Sequence, residues 1–392
     1  MVQLDALRAF AVFGVLFFHF YQRDGRVLVP VGVWGVRLFF VLSGFLITGI
    51  LLNCRGLSST RSGGVGQLRQ FYVRRTLRIF PLFYLVVFIA AAANIHSVRE
   101  TFLWLVTYTS NIYFALRGGW NGPINHFWTL AVEEQFYLFW PWLILFVADR
   151  YLLPCIISAI FLAPVYKIAG LLAGWNDFAL SVMTFACLDS LGFGALLAFY
   201  RYKNPNQFQR LGKHRAYNWI GLILLIIVLT LTVTRPRLFF MGAAYDLTQA
   251  ALFAWIIHKA SVGVSGFVGY LLEAKPLLYC GKISYGIYVY HNFMPLTVRG
   301  FCSRFHLAYP QQPGWRLAVF GTLTILVATL SWTIFEQPIN NLKNRFRYSK
   351  PQLNQLPELL FLRIKNRLGR HRVPARTKPF AERETPKGTV DE

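Results

Sequence analysis

An arginine and a histidine lie in the first apolar segment of the chain at a spacing that suits chemistry inside a membrane. Arg8 and His19 are eleven residues apart in LDALRAFAVFGVLFFHF. At about 100° per residue this offset returns to nearly the same face of a helix, roughly 16 Å further along its axis. Ionisable side chains within a membrane helix are costly, so the pair indicates a functional site before a structural one.

Two further arginines, Arg75 and Arg78, could bind an anion. They are three residues apart in FYVRRTLRIFPLFY, so they share a helix face at the start of the third apolar segment. The planar guanidinium donates paired hydrogen bonds to phosphate, and Arg8 would enter from the same side. The alternative is a positive anchor on the cytoplasmic face, which is the interpretation we prefer for Arg69 or Arg74 alone.

Two adjacent acids, Glu133 and Glu134, are candidates for orienting a general base. They lie in WTLAVEEQFYLFWP, at the membrane depth predicted for His19. Consecutive helical positions point about 100° apart, so one acid can face the bundle interior while the other finds a different partner. A buried carboxylate beside a histidine raises the basicity of the ring, as attack through a hydroxyl substrate requires. An interhelical salt bridge or hydrogen bond is the structural alternative.

Weaker candidates lie in GKISYGIYVYHNF and CLDSLGFGALLA. His291, with Tyr288 three residues before it and Asn292 beside it, could line a substrate cavity or could be a buried hydrogen-bonding group. Asp189 is an acid within an apolar segment, for which an arginine would be a suitable partner. Ser43 and Gly44 in FFVLSGFLIT allow close helix approach, and we assign both to packing.

The elements that must position these side chains are membrane helices. Hydrophobic residues make up 55% of the 392-residue chain and charged residues 14%, a balance that a soluble domain of this length does not keep. Several apolar segments reach the roughly 20 residues that a bilayer requires, and the others come close. We place the spans at residues 4–22, 31–52, 79–95, 128–147, 152–172, 178–200, 217–234, 240–258, 281–299 and 315–337.

The net charge of +24 follows membrane topology and does not indicate nucleic-acid binding. Residues 53–78 carry six arginines and no acid, and residues 201–216 carry five basic residues and no acid. The segment after Glu336 is also strongly basic. The positive-inside rule makes all three cytoplasmic. Because an even number of spans joins two cytoplasmic loops, the short segment 101–116 is assigned as a re-entrant or interfacial helix. The predicted fold is an all-α integral membrane protein with about ten transmembrane helices and both termini cytoplasmic.

The spans predict two regions of different character. Residues 1–337 form the transmembrane domain, and residues 338–392 form a basic cytoplasmic tail that is partly disordered. Within the tail, PELLFLRIKNRLGRHR could lie as an amphipathic helix on anionic lipid. The five cysteines are odd in number and show no metal-ligand spacing, so we predict no metal site and assign them to packing.

Seven segments of the chain, in order, resemble those of membrane-bound acyltransferase family 3. They are LDALRAFAV with its His19, GVWGVRLFFVLSGFLIT, RRTLRIFPLFY, WTLAVEEQFYL, LGFGALLA, ISYGIYVYH and FEQP. This family includes O-acetyltransferases of O-antigen, exopolysaccharide and nodulation-factor sugars, and acyltransferases of macrolide antibiotics. The resemblance covers about residues 4–340 and matches the family's arginine–histidine pair to Arg8 and His19, and its RxxR motif to Arg75 and Arg78.

The resemblance implies a bacterial enzyme of the cytoplasmic membrane that transfers an acetyl or other short acyl group from acyl-CoA to a hydroxyl of a carbohydrate or glycolipid. We expect Arg8, Arg75 and Arg78 to bind the CoA phosphates. His19, oriented by Glu133 or Glu134, would be a general base or would carry the acyl group covalently. A macrolide or other small molecule is an alternative acceptor. A transporter or flippase is the alternative of a different class, against which the sequence shows no inverted repeat.

Two departures from the family pattern limit these expectations. Cys187 stands where many relatives have an arginine, two residues before Asp189, so we expect that charge pair to be absent. Some relatives also have a carboxy-terminal esterase-like domain that completes the transfer outside the cell. This sequence ends in a basic tail, and we expect it to act alone or with a separate partner.

Overall fold

The computed structural model describes residues 1–21, 30–57, 61–234 and 239–346, and the regular structure within these ranges is helical. The predicted tail beyond residue 346, with its amphipathic segment, lies outside the described residues. The α-helices are α1 (Gln3–Phe20), α2 (Val31–Leu57), α3 (Arg61–Ala92), α4 (His96–Glu100), α5 (Phe102–Val106), α6 (Ser110–Arg117), α7 (Phe127–Phe146), α8 (Asp149–Leu172), α9 (Asp177–Val182), α10 (Leu188–Lys203), α11 (Pro205–Lys213), α12 (Tyr217–Thr234), α13 (Phe239–Val262), α14 (Gly266–Leu272), α15 (Lys275–Lys282), α16 (Ser284–Tyr290), α17 (Met294–Arg304), α18 (Pro313–Ser331) and α19 (Gln337–Asn341).

Six helices are long and apolar enough to cross a membrane. They are Gln3–Phe20, Val31–Gly56, Gly63–Ala92, Asp149–Leu172, Tyr217–Thr234 and Pro313–Arg345. Helices α13 and α14 give a seventh candidate if the pair, which is bent by 91°, counts as one span. The chain is therefore a helical membrane protein with six or seven candidate spans in its described part. The predicted count of ten is not confirmed, and the cytoplasmic location of the termini stays a prediction.

The remaining predicted spans take other forms. Segment 128–147 lies almost wholly within the 20-residue helix α7, which carries two glutamates and is not one of the six. The prediction of one continuous helix over 178–200 is wrong, because a 3-10 turn separates α9 from α10. The same prediction over 281–299 is also wrong, because a 3-10 turn separates α16 from α17, which has Pro295, a residue without a backbone N–H, at its second position. Segment 101–116 contains α5 and most of α6, neither long enough to span a bilayer.

Glycines set the closest contact between α2 and α10. A Cβ atom built on Gly44 would lie 1.9 Å from the Leu191 carbonyl oxygen, and one on Gly194 would lie 2.0 Å from the Val41 carbonyl oxygen. Only residues without a Cβ atom let two helix backbones approach so closely. The predicted packing role of Gly44 is confirmed, and its position fixes the face that α2 turns towards the other helices.

We expect Gly44→Ala to lower the free energy of unfolding by about 1–3 kcal/mol, because the added methyl group overpacks the contact with α10. Gly49 on the same helix is the matched control, since a Cβ atom there meets only the Ala198 Cβ, at 4.0 Å. Gly49→Ala should be neutral or stabilising by up to about 1 kcal/mol. Thermal unfolding of both purified variants checks this, and equal stability would contradict the close helix contact.

Candidate active site

A cavity of about 820 Å³, counting its mouth, lies between α1, α2, α3, α7 and α16. Five of the predicted site residues line it: Arg8, Arg75, Arg78, Glu133 and Tyr288. Much of the remaining wall consists of apolar side chains from α2. We refer to this space as the arginine cavity. The structure thus brings together side chains that are up to 280 residues apart in the sequence.

Helical spacing explains which side chains enter the arginine cavity. On α7, Thr129, Glu133 and Tyr137 recur every four residues and share one face. On α3, Arg75 and Arg78 both line the cavity, whereas Arg74 donates hydrogen bonds to the backbone carbonyls of Lys343 and Phe346. The consecutive arginines therefore divide between the cavity and the end of the described chain.

The charges around the arginine cavity favour an anionic ligand. Among the described residues, Arg75 and Arg78 form no ion pair with a carboxylate, and Arg8 pairs with Asp5 of its own helix. Within the part of the chain that the structure describes, Glu133 is the one acid that lines the cavity; it accepts a hydrogen bond of 2.6 Å from the Ser43 hydroxyl. Three guanidinium groups against one lining carboxylate leave an excess of positive charge, which suits phosphate groups.

Ser43 is a site residue that the sequence analysis left to helix packing. Its hydroxyl donates to Glu133 and accepts a hydrogen bond of 3.0 Å from the Tyr137 hydroxyl. The Arg75 guanidinium lies 5.5 Å from the centre of the Tyr137 ring. Glu133, Ser43 and Tyr137 therefore form a short polar chain in the cavity wall, and this chain supports Arg75 through the tyrosine ring.

His19 lies towards the other end of α1, in a cluster of three histidine rings. The centre of the His291 ring is 4.8 Å from that of His19 and 4.7 Å from that of His126. His126, which directly precedes α7, was not among the predicted site residues, although its offset of seven residues from Glu133 returns to nearly the same helix face. The expected pairing of His19 with Glu133 or Glu134 stays a prediction. Both acids lie about 10 Å or more from His126 along the axis of α7. His126 itself belongs to the histidine cluster.

Backbone carbonyls orient all three rings. His19 Nδ1 lies 3.0 Å from the Val15 carbonyl oxygen, His291 Nδ1 2.6 Å from that of Tyr288, and His126 Nε2 3.1 Å from that of Val289. A carbonyl only accepts, so each of these nitrogens is the donor, and in a neutral ring the other nitrogen is basic. Nε2 is therefore the basic atom of His19 and of His291, as a proton acceptor or nucleophile requires.

Thr129 and Tyr288 belong both to the arginine cavity and to the surroundings of the histidines. Their hydroxyls are hydrogen-bonded to each other at 2.7 Å, and each lies 3.0 Å from the His126 carbonyl oxygen, so one hydroxyl donates to the other, which donates to the carbonyl. The Tyr288 ring lies 5.4 Å from that of His291. Asn292, the remaining predicted residue, is half-buried beside His291. The arginine cavity and the histidine cluster are adjoining parts of one site.

Glu134 faces a different space from Glu133, as their 100° separation on the helix allows. It lines a second cavity, of about 750 Å³, that shares only Arg75 and Tyr137 with the arginine cavity. Of the two adjacent acids, Glu133 is therefore the one that faces the three arginines.

Asp189 is part of a buried network of four charges, and Arg37 is the arginine partner that the sequence favoured for it. Arg37 on α2 contacts Asp189 on α10 and Asp246 on α13, each at 2.7 Å. Lys167 on α8 pairs with Asp246 and lies 3.5 Å from Asp189. The two positive and two negative groups balance. Arg37 and Lys167 thus supply the positive charge that Cys187 does not.

These features define a helical membrane protein with a buried ionisable site that joins an arginine-lined cavity to a histidine cluster. The chain belongs to acyltransferase family 3: the family's model, described as an acyltransferase domain, matches residues 1–333. The resemblance found in the sequence is confirmed.

The chain is similar to several curated bacterial proteins. It is 30% identical over 370 residues to YrhL of Bacillus subtilis, provisionally named a peptidoglycan O-acetyltransferase, with 86% of this chain and 54% of that protein covered. It is 29% identical over 371 residues to the peptidoglycan O-acetyltransferase OatA of Listeria monocytogenes, with 88% and 56% covered. The chain thus spans a little over half the length of these relatives. No solved structure gives a significant match.

Proposed function

We propose that this protein is an O-acyltransferase of the bacterial cytoplasmic membrane that transfers an acetyl or other short acyl group from acyl-CoA to a hydroxyl of a carbohydrate or glycoconjugate. Membership of an acyltransferase family supports the reaction class, and the names of the relatives support a carbohydrate acceptor. The observation that carries the proposal is the excess of guanidinium groups in a half-buried cavity that adjoins a histidine cluster.

In this proposal Arg8, Arg75 and Arg78 bind the phosphate groups of CoA. Arginine suits this task because its planar fork matches two phosphate oxygens and keeps its charge at every physiological pH. The pantetheine arm would then extend past Thr129 and Tyr288 towards the histidine cluster. Glu133 acts as a positioning residue, since its bond to Ser43 holds the wall on which Arg75 rests.

His19 carries the chemistry in either of two ways. As a general base, its Nε2 takes the proton of the acceptor hydroxyl, the oxygen attacks the thioester carbonyl, the C–S bond breaks, and the departing thiolate takes up the proton. As a nucleophile, Nε2 attacks the carbonyl first and releases the thiol, and the acyl group then passes to the acceptor hydroxyl. Both routes end with one ester and one free thiol.

Release of free thiol tests the function. The purified chain in lipid nanodiscs, given acetyl-CoA and a panel of glycosides, should release thiol and form an equal amount of acetylated glycoside. A transporter lined by the same polar groups would release none, even at acetyl-CoA concentrations that saturate binding.

A further inference from the structure

The second cavity has no part in the steps proposed above. It lies between α3, α7 and the segment that joins α5 to α6, and its empty space, counting its open mouth, is about 750 Å³. Arg75 and Tyr137 form its common wall with the arginine cavity. Because aromatic side chains such as Phe80 and Tyr108 supply much of its lining, we call it the aromatic cavity.

Two polar atoms in this cavity have no partner within the described part of the protein. Glu134 Oε1 and Tyr108 Oη are both buried, and neither makes a hydrogen bond there. Buried polar groups are normally paired because an unpaired one keeps the full cost of losing its water. Two such atoms lining one cavity indicate a ligand that carries hydrogen-bonding groups.

The backbone at Tyr108 is an independent sign of a binding site. Tyr108 has φ +52°, in the left-handed region that bulky residues rarely adopt and that is typical of functional positions. Gln135 Nε2 holds it there by donating a hydrogen bond of 2.9 Å to the Tyr108 carbonyl. The ring stacks on Phe83 and Phe80, at 4.4 and 5.2 Å between centres. Several contacts therefore fix the position of Tyr108, whose hydroxyl makes no hydrogen bond, in the cavity that Glu134 also lines.

The mouth of the aromatic cavity includes exposed side chains. Thr76 on α3, Leu138 on α7 and Thr107 between α5 and α6 all line the cavity and are exposed. In a membrane-spanning bundle, an exposed position in the middle of a helix, such as Leu138 on α7, faces lipid. A ligand attached to a lipid could therefore enter from the bilayer.

We propose that the aromatic cavity binds a sugar unit of the acceptor. A sugar ring presents an apolar C–H face that packs on the aromatic rings, together with hydroxyls that pair with Tyr108 Oη and Glu134 Oε1. A hydrocarbon chain alone would leave both polar atoms unpaired. This inference rests on the proposed function, because it identifies where the acceptor is held beside the donor cavity.

Equilibrium dialysis tests the proposal with the full chain in nanodiscs, using radiolabelled octyl glycosides of glucose, galactose and N-acetylglucosamine, with empty nanodiscs subtracted. At least one glycoside should bind saturably. Tyr108→Phe and Glu134→Gln should each weaken its binding about tenfold, as expected for one lost hydrogen bond to a buried ligand. Tyr166→Phe is the control, because its hydroxyl already donates to the Ala179 carbonyl outside both cavities. Unliganded Tyr108→Phe should be as stable as wild type or more so, since an unpaired hydroxyl is removed.

Saturable binding of none of the three glycosides, or equal binding by wild type and Tyr108→Phe, would overturn the proposal. Competition by octanol as effective as that of the glycosides would also overturn it, because the site would then recognise only a hydrocarbon chain. The proposed function is judged separately, by thiol release on the same preparations. If thiol release is unchanged in Tyr108→Phe, the sugar site is refuted and the acyltransferase activity stands. If glycoside binding depends on Tyr108 but no thiol is released, the acyltransferase activity is refuted and the sugar site stands.

Discussion

Replacing His19 with glutamine should lower the rate of acyl transfer by roughly 10²–10⁴-fold, the usual contribution of a positioned general base. The same loss is expected if His19 carries the acyl group, since glutamine is not a nucleophile. The affinity for CoA should change little, because His19 lies along α1 from Arg8 and does not line the arginine cavity. The measurement is the initial rate of acetyl transfer from acetyl-CoA to a glycoside, together with direct binding of CoA.

His214 provides the matched control for this prediction. It is exposed after α11, so His214→Gln should leave both the rate and CoA binding unchanged. Full transfer activity in His19→Gln would refute the role of His19. A parallel loss of transfer and of CoA binding would instead mean that the histidine cluster holds the donor.

Asp189→Asn should lower the free energy of unfolding by about 3–5 kcal/mol, the typical effect of removing one partner from a buried ion pair. The substitution keeps the size of the side chain but leaves Arg37 and Lys167 with only Asp246 to balance them. The uncompensated charge lies where α2, α8, α10 and α13 meet, so all four helices should loosen. Thermal unfolding of the purified variant measures the effect.

Restoring the charge balance should recover much of this loss. In Lys167→Met/Asp189→Asn, Arg37 keeps Asp246 as its partner, 2.7 Å away, and no net charge stays buried. We expect the double variant to be more stable than Asp189→Asn, a coupling that independent sites would not show. A double variant less stable than either single variant would mean that the individual contacts, and not the charge balance, hold the helices together.

The side chains that meet in the arginine cavity were predictable from the sequence, because helix periodicity determines which residues of a helix share a face. Arg75 and Arg78 enter one cavity because three residues return to the same helix face, and the 100° step between Glu133 and Glu134 sends the two acids into different cavities. Helix periodicity alone fixes such relations. That Arg8 lines the same cavity could be predicted from its expected depth in the membrane.

The contacts that sequence reasoning missed depend on which helices become neighbours. Periodicity cannot pair Arg37 with Asp246, although four isolated charges that sum to zero within apolar segments were a usable signal. His126 could have been found from its seven-residue offset to Glu133. The sequence held no such signal for the left-handed backbone conformation of Tyr108, because the Gln135 side chain stabilises that conformation from another helix.

The central claim is that the guanidinium groups of the arginine cavity hold the phosphates of the acyl donor. The most direct test compares the affinity of the purified chain for acetyl-CoA with its affinity for acetyl-pantetheine, which has the same thioester and no phosphate. We predict that wild type binds acetyl-CoA at least about 100-fold more tightly, and that Arg75→Ala/Arg78→Ala loses most of this preference, since each charge-assisted contact is worth about 1.5–3 kcal/mol. A preference for acetyl-CoA that is the same in the double variant as in wild type would contradict the claim.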